Sequence, residues 1–318
     1  MIPIRRGFNF PYCGQNCRTF LLWNEICFAV GRTRTAMKTF TLETCAETAP
    51  YDYLSRLPLD RWAWEYARRN DELRRDAISR KDADISERKA PCAPIRLLRS
   101  RVPQGLAERW GLVLMPDPDL SGIDADAVWT HYVFPDQVEV NCTPRLPGER
   151  CDIWDRTVHH CSITHVTDTA AREYLLIRGK GCIVQVRCTG MSHLGIEPVR
   201  MKMQTPDLID LERKLKVQKE ALRLYGKGPD TSAARWTKTT QILRNGVIAL
   251  DCLKAGMSQR EIASLLHGPA AVAEEWGIDG SALRASLRYV IRKAESLRDG
   301  GYLTELLGAR ISGGRRAA

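Results

Sequence analysis

The 318-residue sequence predicts an α+β chain, mainly helical, with a small antiparallel β-hairpin or sheet region in the middle and a helix-turn-helix-like trihelical domain at the C-terminus. Three observations carry that expectation. Leu243, Val247, Leu250 and Leu253 recur at helical spacing, as do Leu283, Leu287, Val290, Ile291, Ala294 and Leu297. Glu173–Cys188 holds two apolar runs joined by Gly179-Lys180-Gly181, in which Cys182, Val184, Val186 and Cys188 alternate with Ile183, Gln185 and Arg187, the pattern of a hairpin with one buried face. Gly256–Gly268, GMSQREIASLLHG, opens like the first helix of a DNA-binding helix-turn-helix.

Taken in order, residues 1–44 form a poorly specified extension of Gly, Asn, Cys and aromatics without a sustained period. Residues 1–36 read either as a tail or as sequence preceding a translation start at Met37. Residues 45–80 read as a small helical domain: Asp60 is placed to cap, and Trp62, Trp64, Tyr66 and Ala67 supply apolar bulk read as core. Charged, Pro-containing residues 81–105 read as a linker, and 106–204 as a β-rich region with turns around Pro116, Pro118 and Pro135. Residues 205–318 read as a helical DNA-binding domain with a basic tail. Its first helix is expected to start at Thr205-Pro206-Asp207 and to pack Leu208, Leu211, Leu215, Leu222 and Tyr225 on its own domain, with a dimer seam as the other use of that heptad-like spacing.

Charge directs attention to the same end. The formal net charge is +10; residues 201–318 carry 20 Lys/Arg against 13 Asp/Glu, a surplus of seven, and residues 1–37 carry five against one. A basic C-terminal third suits a polyanion. No apolar run reaches the roughly 20 residues a membrane helix needs, and the nearest, Phe20–Val30, is interrupted by Asn24 and Glu25, so neither export nor a membrane partner is expected. Eleven scattered cysteines fit reduced thiols, and the chain is expected in the cytoplasm, at the nucleoid.

Gly256 suits the residue just past a helix, Ser258 and Glu261 make a capping box, and Met257 with Ile262 makes a hydrophobic staple. The usual short turn is stretched across His267–Gly280, where a brief helical turn bearing Val272 and Trp276 fits. Ser281 then caps a helix with an apolar stripe on one side and Arg284, Arg288 and Arg292 at four-residue spacing on the other. Such a helix can lie in the major groove of double-stranded DNA. Ser281, Arg284, Ala285 and Arg288 are the candidates for base contacts; Arg292, Lys293 and Arg298 are the candidates for phosphate, with Lys254 and Arg260 added from neighbouring segments. The alternatives are a solvated arginine face or docking of a protein on Trp276 and Val272, as in a regulator that never touches DNA.

Other chemistry finds little support. Cys142, Cys151, His159, His160, Cys161 and His165 offer zinc-type ligands, but their spacing matches no familiar paired-cysteine motif, so neither metal nor cofactor is expected. There is no phosphate-binding loop, nucleophile elbow or His-Glu-x-x-His motif, and Asp117, Asp119, Asp124 and Asp126 sit in a Pro-rich stretch as loop polarity, so catalysis is not expected.

AGMSQREIASLLHGPAAVAEEW and LRDGGYLTELL, within Leu243–Leu307, resemble a proteobacterial helix-turn-helix variant family of formerly unknown function, used by activators and antiactivators of integrative and conjugative elements. DYLSRL and RWAWEYARRN resemble the small transcriptional-regulator-like domain that precedes it in longer members, and WGLVLMPDPDL with the hairpin resembles the intervening segment. This order is similar to that of the FseA class of excision activators. The resemblance implies an activator of excision and transfer genes that works with RNA polymerase and is restrained by a small antiactivator sharing the C-terminal domain. Residues 1–36 and the Cys142–His165 stretch depart from the family pattern.

Overall fold

The computed structural model describes residues 47–79, 84–89, 95–151, 155, 157–194, 197–205, 208–225 and 236–310. The translation-start reading at Met37 and the basic tail beyond Arg310 lie outside these residues. A 3-10 helix (Ala49–Arg56) leads into α1 (Leu59–Ala67) and α2 (Asp71–Ile78); strands β1 (Ile85–Lys89) and β2 (Ile95–Ser100) precede the short helix α3 (Gly105–Arg109). Then come β3 (Val138–Pro144), β4 (Ser162–Thr167), β5 (Glu173–Gly179), β6 (Cys182–Gly190) and β7 (Val199–Gln204). The C-terminal part holds α4 (Leu211–Ala221), extended by a 3-10 turn (Leu222–Tyr225), α5 (Lys238–Lys254), α6 (Gln259–His267), α7 (Pro269–Glu275), α8 (Ala282–Ser296), a π-helical turn (Leu297–Gly301) and α9 (Tyr302–Glu305).

The chain is α+β as expected, but the sheet is larger than the predicted hairpin region. Seven strands run in the order β1-β2-β4-β5-β6-β3-β7, with β2/β4 and β3/β6 parallel and the other pairs antiparallel. The expected linker over 81–105 is corrected here: it supplies β1 and β2. Its charges belong to an edge, where Arg96 on β2 pairs with Glu87 on β1 and with Asp126. In the hairpin β5–β6, Lys180 and Gly181 both take positive φ (49° and 72°), the geometry of a tight two-residue turn. The prediction of one buried face is also corrected. Val184 and Val186 face a cluster closed by Ala221 and Leu224 of the α4 segment, while Ile183, Tyr174 and Leu176 face Val113, Leu114 and Val128. Gln185 is satisfied on that second side by Trp129 N–H, Trp129 C=O and Gln137.

Between α3 and β3 the expected strands reduce to one bridge, Leu112↔Trp129. Turn chemistry dominates there: Asp117 accepts from Asp119 N–H, Ser121 donates to Asp124, and Asp126 pairs with Arg178.

The helical layer has one continuous core. Trp62, Trp64 and Tyr66 of α1 share it with Val247 and Ile248 of α5, Ile262 of α6, Leu287 of α8 and Tyr302 of α9, so the 45–80 segment packs into the C-terminal helices rather than alone. Tyr66 hydroxyl donates to Leu243 C=O at 2.8 Å. A Cβ at Gly246 would lie 2.7 Å from that hydroxyl and 3.0 Å from Ala294 Cβ, so the missing side chain lets α1 and α8 approach α5 together. Trp129 adds the middle segment, donating to Asp60 C=O and stacking at 5.5 Å on Tyr302, whose hydroxyl donates to Trp110 C=O.

An ion network lies inside this junction. Glu65 is buried against Arg68 and Arg69, each at 2.8 Å, and accepts from Tyr53 hydroxyl and Gly122 N–H. Arg69 reaches on to Asp251 of α5 with two hydrogen bonds, at 2.7 and 2.8 Å, and Tyr51 hydroxyl donates to the same carboxylate. Burial alone would raise the Glu65 pKa, but the two guanidiniums and the N–H outweigh it and hold the carboxyl at about 2.

The heptad leucines of α4 also differ from expectation. Helix α4 starts at Leu211 behind Asp210, not at Thr205, and buries Lys214 and Ala221, while Leu208, Leu215 and Leu222 are 82%, 48% and 55% exposed.

Arg69→Ala leaves buried Asp251 without its guanidinium and Glu65 with Arg68 alone, and is expected to cost about 3–5 kcal/mol in denaturant unfolding, whereas Tyr66→Phe costs about 1–3 kcal/mol through the orphaned carbonyl. Because the folded-state pKa of Glu65 lies below its ordinary 4.5, its stabilisation is complete above pH 4.5 and is lost as pH falls toward 2. Urea midpoints measured through that window should fall less in Glu65→Gln than in the parent.

Candidate nucleic-acid interface

The candidate interface is built on α8, and local chemistry sets its angle. Helix α5 ends at Gly256, φ +85°, where Met257 N–H bonds to Cys252 C=O and Gly256 N–H to Leu253 C=O, a Schellman closure. Helix α6 begins with the predicted capping box: Ser258 hydroxyl accepts from Glu261 N–H, and Glu261 carboxylate accepts from Ser258 N–H at 2.7 Å. As anticipated, the stretched connection contains a short helix, α7, with Pro269 at its first turn; Val272, expected as part of a docking surface under the protein-binding alternative, is buried instead. Gly280, φ +76°, then delivers Ser281 as the cap of α8.

Leu287, Val290, Ile291 and Ala294 anchor α8 in the core, chiefly along α5, and leave Ala285, Arg288, Tyr289 and Arg292 exposed. Gln259 of α6 faces Ala285, Arg288, Ile291, Arg292 and Glu295 across an open groove. Arg260 next to it is exposed and, among the described residues, has no acidic partner; the same holds for Arg288 and Arg292. Glu261 adds a carboxylate at the α6 entrance, so attraction for phosphate there has to come from the Arg260 side chain.

The other predicted residues are placed differently. Ser281 is only 7% exposed and its hydroxyl accepts from Arg284 N–H, so it caps the helix rather than facing a base. Arg284 lies 6.0 Å from the Trp276 ring and points a guanidinium N–H at Trp276 C=O, docking α7 on α8. Lys293 pairs with Glu305, Arg298 with Asp299 at 2.8 Å and Lys254 with Asp71 at 3.2 Å. The structure therefore gathers Ala285, Arg288 and Arg292 around one groove with Gln259, leaves Arg260 exposed on the next residue of α6, and engages the remainder elsewhere. Sequence reasoning passed over Gln259 and Tyr289. Tyr289, 51% exposed, was legible as the residue at i+4 from Ala285 and i−3 from Arg292.

Among the described residues, the cysteines and histidines of the Cys142–His165 stretch do not converge on one another. Cys151, Cys161 and Cys142 are buried on the sheet, but Cys142 meets Cys188 and His193 instead of its sequence neighbours. Hydrogen bonds from Cys188 and His193 pull the Cys142 thiol down to about 5.

Residues 205–307 match a family described as "T6SS, Transcription factor, DNA binding domain" (RovC_DNA-bd), a span that contains α4 through α9. Comparison with curated proteins finds no match. The family match supports a DNA-binding transcriptional regulator with DNA as its partner, and among the described residues no helix is long and apolar enough to cross a membrane.

The helix cap and the exposed arginine face are separable by mutation. Ser281→Ala is expected to lower stability by about 1 kcal/mol, while Arg288→Ala stays within about ±0.5 kcal/mol; chemical denaturation of the two variants side by side checks this.

Proposed function

We propose that the chain is a transcriptional activator that lays α8 in the major groove, with Ala285, Arg288 and Tyr289 toward base edges and Arg292 and Arg260 on flanking phosphates. One observation carries the reading. Among the described residues, Arg288 and Arg292 have no acidic partner, and they stand on a helix whose other face is buried, within the span that matches a DNA-binding domain. Free guanidiniums can fork onto guanine or neutralise phosphate, whereas Lys293 and Arg298 must first give up a carboxylate. Lys254, tied to Asp71, and Arg284, packed on Trp276, support the site from its margins.

The resemblance to the FseA class supports excision and transfer genes of a mobile element as the regulated set, with RNA polymerase as the machinery contacted and a small antiactivator as the restraint. The matched family's description as a T6SS transcription factor favours a second regulated set, secretion genes. Either regulated set has the chain acting in the cytoplasm, at the nucleoid. Sequencing DNA crosslinked to the protein in cells separates them by the genes adjoining the recovered sites.

Binding of the full chain to recovered DNA should weaken steeply with salt, log K falling by about 0.9 per phosphate neutralised per decade of salt. Arg292→Ala should reduce that slope by about one contact, and Arg288→Ala should cost about 1–3 kcal/mol and relax preference at one base step. A double variant that is folded and binds as tightly as the parent, with the same slope, would move the function to a protein-binding regulator.

A further inference from the structure

We propose that Cys142, Cys188 and His193 form a zinc site on the sheet, separate from the α8 surface. On the parallel pair β3–β6, Val140 is opposite Cys188 and Cys142 opposite Gly190, which makes the two cysteines diagonal neighbours. Both belong to the same buried face. Gly190 ends β6 at φ +81°, and a Cβ there would overlap Cys142 C=O and the Asn141 side chain, so only glycine lets the chain fold back across β3 at this point. Met191 N–H then bonds to Cys142 C=O at 3.0 Å, and His193 Nε2 arrives 3.0 Å from Cys142 Sγ.

All three ligand atoms lie within 4.8 Å of one another. Tetrahedral zinc, with bonds of about 2.3 Å to sulfur and 2.0–2.1 Å to nitrogen, separates such atoms by about 3.5–3.8 Å, so the Cys142–His193 contact needs to open by only about half an ångström. Two thiolates and an imidazole are the donor set of a soft or borderline d10 ion, and three protein ligands leave a fourth position for water or an exchangeable group. Cys188 and His193 are five residues apart, within the range of local zinc-ligand pairs, whereas Cys142 joins them only through strand pairing.

A carboxylate braces the ligand loop. Glu173, opposite Cys188 on β5, accepts from His193 N–H at 2.9 Å and from Ser192 hydroxyl, and Ser192 oxygen accepts from Leu194 N–H. His165 lies on the other flank, 3.3 Å from the same carboxylate. Glu173 thus fixes the backbone of the ligand loop, its bond to His193 being to the main-chain N–H and not to a ring nitrogen, a positioning role like that of other outer-shell partners. No other group of three His, Cys, Asp or Glu side chains converges this closely among the described residues.

The test uses the full chain, reduced, stripped of metal and titrated with Co2+. One equivalent should produce a thiolate-to-cobalt charge-transfer band with tetrahedral d–d absorption, and one equivalent of Zn2+ should abolish it. Cys142→Ser should weaken Zn2+ by more than about 100-fold, because loss of a ligand exceeds the 10- to 100-fold typical of losing an outer-shell partner. His193→Gln, which changes a loop residue and leaves both thiols in place, should do the same with an unchanged circular dichroism spectrum, and it decides the matter if the buried cysteine variant does not fold. Cys161→Ser, on the same face but outside the cluster, should retain the parent's band and affinity. Absence of the band in the parent, or undiminished band and affinity in His193→Gln, overturns the site.

Discussion

The buried chain of charge from Glu65 through Arg69 to Asp251 is the constraint on which the helical layer depends. It joins residues nearly two hundred positions apart and crosses from α1 to α5, the helix on which α8 is laid. A buried ion pair contributes little net stability over a well-packed apolar substitute, but its directional hydrogen bonds admit few alternative packings. Here the two hydrogen bonds from Arg69 to Asp251 and the one from Tyr66 to Leu243 fix α5 in rotation as well as position. With α8 laid on α5 across the bare backbone of Gly246, the exposed arginines inherit that fixed frame.

The sheet is connected to this frame through side chains more than through regular structure. Trp129 donates into α1 and stacks on Tyr302, while its backbone is held by Gln185 from the centre of the sheet. Arg61, fully buried, donates to Ala127 C=O in the same segment. The irregular stretch between Gly111 and Phe134 therefore works as an interlayer, its polar backbone satisfied from both sides, which accounts for two central strands that are apolar on both faces.

Legibility followed the range of the interactions. The capping box at Ser258, the glycine closure at Gly256, the α7 turn and the β5–β6 turn are all decided within a few residues, and each is readable from composition and spacing. The helical tryptophans were readable as core, but not the partner they pack on, because nothing local to Trp62 or Tyr66 points to α5. Residues 85–100 look like a linker since β1 is an edge whose charged side chains face solvent or pair across the strand; only the parallel partner β4, more than sixty residues on, reveals them as sheet. Ser281 and Arg284 illustrate the limit at the site itself. Spacing puts both on the right helix, yet a hydroxyl used for capping and a guanidinium laid on Trp276 are already spent, and only the three-dimensional neighbours distinguish them from Arg288.

Under the proposed docking of α8, the spacing of Arg288 and Arg292, one helical turn apart, limits how much text a single chain can read. Four residues of helix advance about 6 Å, while successive base pairs rise about 3.4 Å, so the pair straddles roughly two rungs of the duplex. A word that short recurs throughout any genome. Whatever address the protein recognises must be spelled by additional means, through the stiffness of the flanking duplex or through a second head seated alongside the first.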